Sequence, residues 1–178
     1  ATQLITMVRA AHRQNQTATT PVSQTLEAFR QPDVDALKQI KILLGLMNND
    51  QLNASMEFGR LGGIGILLRL ANPTLSHNVD LKTTLLSLQV ISQAATNPNF
   101  CRSYLVPQQK AFAALIQEVL MPDPDWLVSA LAIWVRIILH ADRDDPATDI
   151  TDATALDYDA IIQAIQKGLG LQNTTILR

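Results

Sequence analysis

Proline-bearing breaks cut this sequence into apolar runs that are too one-sided to fold alone. Asn72-Pro73, Asn97-Pro98 and Pro122-Asp123-Pro124-Asp125 each stop a helix. Proline has no amide proton and drives the residue before it out of the α region. Between the breaks, apolar residues recur at helical spacing. Leu81, Leu85, Leu88, Ile91 and Ala95 form one stripe, with Leu86 and Val90 beside it. Such a stripe is buried only against another helix, so the pattern predicts helices that shield their neighbours in sequence.

Taken in order, the pattern predicts a weak amphipathic helix carrying Leu4, Ile5, Val8 and Ala11, a polar loop over Gln14–Thr20, and a turn or two of helix over Ser23–Phe29. Asp33, after Gln31-Pro32, is predicted to cap a broad-faced helix over Val34–Met47. A short helix over Leu52–Phe58 then runs into a corner at Gly59–Gly63, where glycine can take positive φ. Helices are predicted over Ile64–Leu70, Asn78–Ala95, Phe100–Leu105 and Ala111–Leu120. Trp126–His140 is apolar nearly all round and is predicted to be buried on most sides. An acidic loop over Asp142–Asp152, a helix over Tyr158–Leu169 and a tail over Gln172–Arg178 complete the chain.

The features recur. Phe58 matches Tyr104, Ile66 matches Phe112 or Ala113, and Leu81 matches Leu127, a period of about 46 that falls in the ~40–47 range of two- and three-helix repeats. The run Leu61-Gly62-Gly63-Ile64-Gly65-Ile66-Leu67-Leu68-Arg69-Leu70 resembles the glycine corner and second helix of an armadillo unit. Val90–Phe100 resembles the end of a third helix entering the next unit. The resemblance covers roughly residues 33–168. It implies an all-α, right-handed superhelical stack of about three units forming one domain, with irregular N-terminal helices over 1–31 and a tail at 171–178. It also implies binding of a partner protein or peptide in a groove lined by the third helices. Polar residues of that lining would come from Lys82, Gln89, Gln93, Ser129 and Arg136. Armadillo-type nucleotide-exchange factors for the seventy-kilodalton heat-shock chaperones have a similar layout and form the alternative.

The sequence departs from the family's peptide binders. Their third helices carry an asparagine ladder, often with tryptophans one turn earlier. Here Gln93 and Gln89 stand near those places, with Trp134 and Ile138 in the following unit, and Val106–Lys110 lacks the Gly-Gly pair. Recognition of a basic extended peptide is therefore not implied. Trp126 and Trp134 lie on nearly one face, so core packing is the default; an exposed Trp126 would be a partner anchor.

Composition narrows the remaining classes. The net charge is −2 with no Lys/Arg run, which argues against nucleic acid. No apolar segment approaches the ~20 residues of a membrane span. The single cysteine, Cys101, fits a reducing, cytoplasmic compartment, and packing is its default role. Ala1 is not Met and has no signal-peptide pattern, as in an excised or processed domain. His12, His77 and His140 make no i, i+4 pair, and the acidic loop lacks the glycine and closing glutamate of a calcium loop. Gly62-Gly63-Ile64-Gly65 has no Lys-Ser/Thr for a phosphate loop. The expectation is a non-enzymatic chain with no cofactor or metal.

Overall fold

The computed structural model describes residues 19–72, 80–119 and 123–141, with isolated positions 162, 163 and 166. Among these residues all regular structure is helical. The seven main α-helices are α1 (Pro21–Ala28), α2 (Ala36–Asn49), α3 (Gln51–Arg60), α4 (Gly63–Ala71), α5 (Leu81–Ala94), α6 (Gln109–Val119) and α7 (Pro124–His140). The helices predicted over Leu4–Ala11 and Tyr158–Leu169, the acidic loop and the tail lie outside the described residues, apart from those isolated positions.

Helix starts follow from capping. Thr20 and Ser23 form a reciprocal box at α1, with Ser23 N–H donating to Thr20 Oγ1 (3.1 Å) and Thr20 N–H to Ser23 Oγ (2.9 Å). Pro21 sits in the first turn, where no amide donor is needed. The three long helices share one device, an aspartate whose carboxylate accepts from the backbone amide three residues on. Asp35 caps α2 (3.0 Å), Asp80 caps α5 (2.8 Å) and Asp123 caps α7 (2.9 Å). Asp35 thus takes the role predicted for Asp33. These caps stand 45 and 43 residues apart.

The corner between α3 and α4 has two separate glycine requirements. Gly62 adopts φ 75°, which a side chain disfavours. At Gly63 a Cβ would lie 2.2 Å from the Phe58 ring. Further on, the regular helix predicted over Phe100–Leu105 is instead a graded turn. One α turn, Pro98–Phe100, widens to a π turn over Cys101–Leu105, then tightens to a 3₁₀ turn over Val106–Gln108. Pro107 lacks the amide that would continue the ladder, so the backbone changes pitch there.

Helix α5 is central. It packs against α2 on one side and α7 on the other, with α3 and α4 behind it. Hydrogen bonds tie the C-terminal ends of the long helices. Gln51, just after α2, donates from Nε2 to Gln93 O (3.4 Å) and to Thr96 Oγ1 at the end of α5. Arg136 Nη1, near the end of α7, donates to Ala95 O (3.0 Å). Side-by-side packing with adjacent C-terminal ends means that α2, α5 and α7 run in the same direction. Asn97 Nδ2 donates to Ser55 Oγ (2.9 Å), while Asn97 Oδ1 accepts from Asn99 N–H (3.0 Å). One buried side chain therefore both caps the next turn and joins it to α3.

The core is continuous along this row. Ile40, Leu43 and Met47 of α2 meet Leu88 and Ile91 of α5, and Trp126, Ile133 and Ile137 of α7 extend it; all are fully buried. Each contributes about 1.5–3 kcal/mol relative to exposure. Phe58 and Phe100 stack with centroids 6.1 Å apart, and Tyr104 continues the line.

Two further expectations require correction. Helix α7 is not enclosed on most sides: Val128, Val135 and Leu139 are 60%, 51% and 73% exposed. Leu81 and Leu127 do not occupy equivalent positions either, since Leu81 is exposed and Leu127 fully buried. Counting from the caps, Leu127 matches buried Thr84. The 46-residue period belongs to the short helices, and the connection before α7 is shorter than the one before α5.

Candidate functional site

The outer surface of α5 includes exposed Lys82 and Gln89 with half-buried Leu85, Leu86, Ser92 and Gln93; Leu81 in the first turn is exposed as well. On α7 the same pattern recurs 43 residues later: exposed Asp125, Val128, Ala132, Val135 and Leu139, with half-buried Ser129 and Arg136. Since α3 and α4 cover the back of α5, these residues look away from that layer. Lys82, Gln89, Gln93, Ser129 and Arg136 are thereby brought onto the outer faces of two adjacent helices. Counting from the caps also puts Asn48 of α2 in one row with Gln93 and Arg136.

Trp126 is not on this surface. It is fully buried, and its indole Nε1–H donates to Ala71 O at the end of α4 (3.3 Å). A donor-bearing ring at the start of α7 can be buried because that carbonyl is available. Trp134, expected near a ladder place, is also buried (2% exposed); Ala132 occupies the position matching Gln89, and Arg136 the one matching Gln93. The long helices α5 and α7 are 43 residues apart, so places expected from a period of about 46 fall beyond these positions.

Arg136 is anchored rather than free. Ala95 O accepts both from its guanidinium and from Cys101 Sγ (3.1 Å). Burial pushes the Cys101 thiol up from its ordinary 9.0, and the smaller opposing pull comes from Arg136 and Arg102. This makes the thiol a packed donor to a carbonyl, not an activated nucleophile. The Thr83 hydroxyl and amide, bonded to Asp80, hold that carboxyl below its ordinary 3.8, with a smaller contribution from Lys82. Asp80 is thus engaged in capping.

Helix α2 adds residues that sequence reasoning missed. A surface cleft of about 360 Å³ is lined by Asp35, Leu37, Lys38, Lys41 and Ile42. Lys38 and Lys41 are exposed. The available signal is that α2 contains lysines and no acidic residue, whereas the candidate lining comes only from the later two long helices.

Among the described residues, no group of three or more His, Cys, Asp or Glu side chains could hold a metal ion. No helix of the described residues is long and apolar enough to cross a membrane. What the surface offers is side-chain amides, ammonium groups and apolar ridges, which suit binding. Comparison with protein-family models, with curated proteins and with solved structures gives no match to this chain.

Proposed function

We propose that this chain is a protein–protein interaction module, a scaffold or adaptor domain built as an armadillo-like helical stack. Helices α2, α5 and α7 take the part of third helices, and a partner lies across their outer faces. The observation that carries this reading is the row itself: aspartate-capped long helices side by side, pointing one way, tied at their C-terminal ends. A row of this kind gives a partner regularly spaced side chains rather than an enclosed pocket. The reading comes from fold analogy and surface chemistry, which specify a mode of action and not a named partner.

The test is a pull-down from native extract with the full chain, a front-face variant (Lys82→Ala with Gln89→Ala) and a back-face variant (Arg60→Ala with Arg102→Ala). All four residues are exposed, so folding is preserved. Partners lost only with the front-face variant support the reading. Partners lost only with the back-face variant refute it.

A further inference from the structure

The capping aspartates let the long helices be compared position by position. On α5 one stripe is Thr83, Ser87, Val90 and Ala94, and a second is Leu85, Leu88, Ser92 and Ala95; none of these is exposed. The first stripe on α2 is Lys38, Ile42, Gly45 and Asn49, all exposed but Gly45, while Ile40, Leu43 and Met47 of its second stripe are fully buried. On α7 the pattern is reversed. Trp126, Ala130, Ile133 and Ile137 are buried, whereas Val128, Val135 and Ile138 are exposed and Leu131 is half-buried. The first stripe therefore faces the preceding long helix and the second faces the following one, and α5 alone has a long helix on both sides. The second stripe of α7 is apolar at all four places, as is the buried stripe that α2 turns to α5, yet no described layer covers it.

We propose that this seat is taken by the chain's own segment Tyr158–Leu169, lying antiparallel to α7. The inference does not depend on the interaction-module reading. Three positions of the segment are described: Ile162, Gln163 and Gln166 are helical, with Ile162 and Gln163 exposed. Helical register sets Tyr158, Ile161 and Ile165 on the side opposite Gln163, an apolar stripe to match that of α7. Charge order selects the direction. Helix α7 has Asp125 in its first turn and Arg136 near its end, and the segment has Asp157 at its start and Lys167 near its end, at nearly the same separation. Antiparallel docking puts Asp157 by Arg136 and Lys167 by Asp125, whereas parallel docking would put like charges together. It also sets the helix dipoles in opposition. The connection over 142–157 reaches ~50 Å when extended, against a length of ~25 Å for α7, so the tether permits this return. Tethering also holds the segment at a high local concentration beside the seat.

The experiment is disulfide pairing in the full chain under mild oxidation, read on non-reducing gels. The antiparallel order matches Val128 with Ile165 and Val135 with Tyr158. Val128→Cys/Ile165→Cys and Val135→Cys/Tyr158→Cys are expected to close within one chain. The swapped pairs, Val128→Cys/Tyr158→Cys and Val135→Cys/Ile165→Cys, and the outward control Val128→Cys/Gln163→Cys are expected to stay open. Far-UV circular dichroism establishes that each variant is folded, and buried Cys101 stays out of the exchange. A second measurement uses maleimide labelling of Val135→Cys. Adding Ile161→Ser/Ile165→Ser is expected to speed labelling by at least about tenfold by freeing the seat, and adding Gln163→Ser is expected to leave the rate unchanged. Closure of the swapped pairs overturns the proposal, because the segment then runs the other way. Disulfides formed only between chains overturn it too, with a second copy as the occupant. An absence of closure with a labelling rate indifferent to Ile161 and Ile165 leaves the seat without this occupant and equally overturns it. None of these outcomes touches Lys82 or Gln89, so the pull-down tests the interaction-module reading separately.

Discussion

Gly62, Gly63 and Gly65 sit within four residues of one corner, and the structure requires glycine at two of them for different reasons. At Gly63 a methyl group would lie 2.2 Å from Phe58 Cδ2 and Cε2, against an optimal carbon–carbon contact of ~3.5–4.0 Å. Phe58 is fully buried and stacked on Phe100, so the ring cannot swing into solvent. Overpacking of this kind costs about 1–3 kcal/mol, and better helix propensity returns at most ~1 kcal/mol. Gly63→Ala is therefore expected to lose about 1–2 kcal/mol. Gly65 lies in α4, is exposed, and a methyl group added there would meet nothing within 4 Å. Gly65→Ala should gain ~0.5–1 kcal/mol through the unfolded chain's reduced freedom. Gly62→Ala meets no clash but is strained at φ 75°, costing about 1–2 kcal/mol. Urea unfolding followed by far-UV circular dichroism ranks the three. The predicted order of midpoints puts Gly65→Ala above the parent and the other two below it. If Gly63→Ala unfolds at the same urea concentration as Gly65→Ala, the packing argument at the corner is wrong.

Further outcomes are expected elsewhere. Asp123→Ala should destabilise by about 1 kcal/mol through loss of the α7 cap, measured by the same unfolding assay. Arg136→Met should cost about 1 kcal/mol, because Ala95 O keeps its Cys101 donor; a loss several times larger would mean that the guanidinium holds more than this carbonyl. The Cys101 thiol should react with a disulfide reagent only as the chain unfolds. Because its folded pKa is raised, its contribution to stability is present below about 9.0 and declines as pH rises through the folded value. Asp80 has the opposite sign: its folded pKa is lowered, so its contribution is present above 3.8 and is lost as pH falls through the folded value. Replacement by Asn, which caps without titrating, should remove that part of the acid dependence.

The breaks are the most legible part of the sequence. Asn72-Pro73, Asn97-Pro98 and Pro122-Asp123-Pro124 act locally, and the helices between them begin and end within about three residues of the predicted bounds. The positive φ falls in the corner where the glycines predict it. The register between long helices is not legible, because it depends on connection length, and a period taken from the short helices slips on the shorter path into α7. Trp134 and Ile138, expected near the ladder places, each lie two residues past the positions that Ala132 and Arg136 hold. Nor can the sequence decide Trp126, whose burial depends on a carbonyl 55 residues away. The pitch change at Cys101–Leu105 escapes the sequence because Pro107 reads as a start signal for the following helix and not as a distortion of the one before it.

The bonds between layers have a mechanical consequence. Gln51 to Gln93, Ser55 to Asn97 and Ala95 to Arg136 each span 41 or 42 residues, and each joins one layer only to the next. Gln51 to Gln93 and Ser55 to Asn97 fasten the same pair of layers and act together, while Ala95 to Arg136 fastens the next pair. A force applied to the two ends of the chain therefore meets two fastenings in series. Each release frees a length of chain of roughly 140–150 Å, so stretching should proceed in steps of nearly constant size rather than in a single rupture.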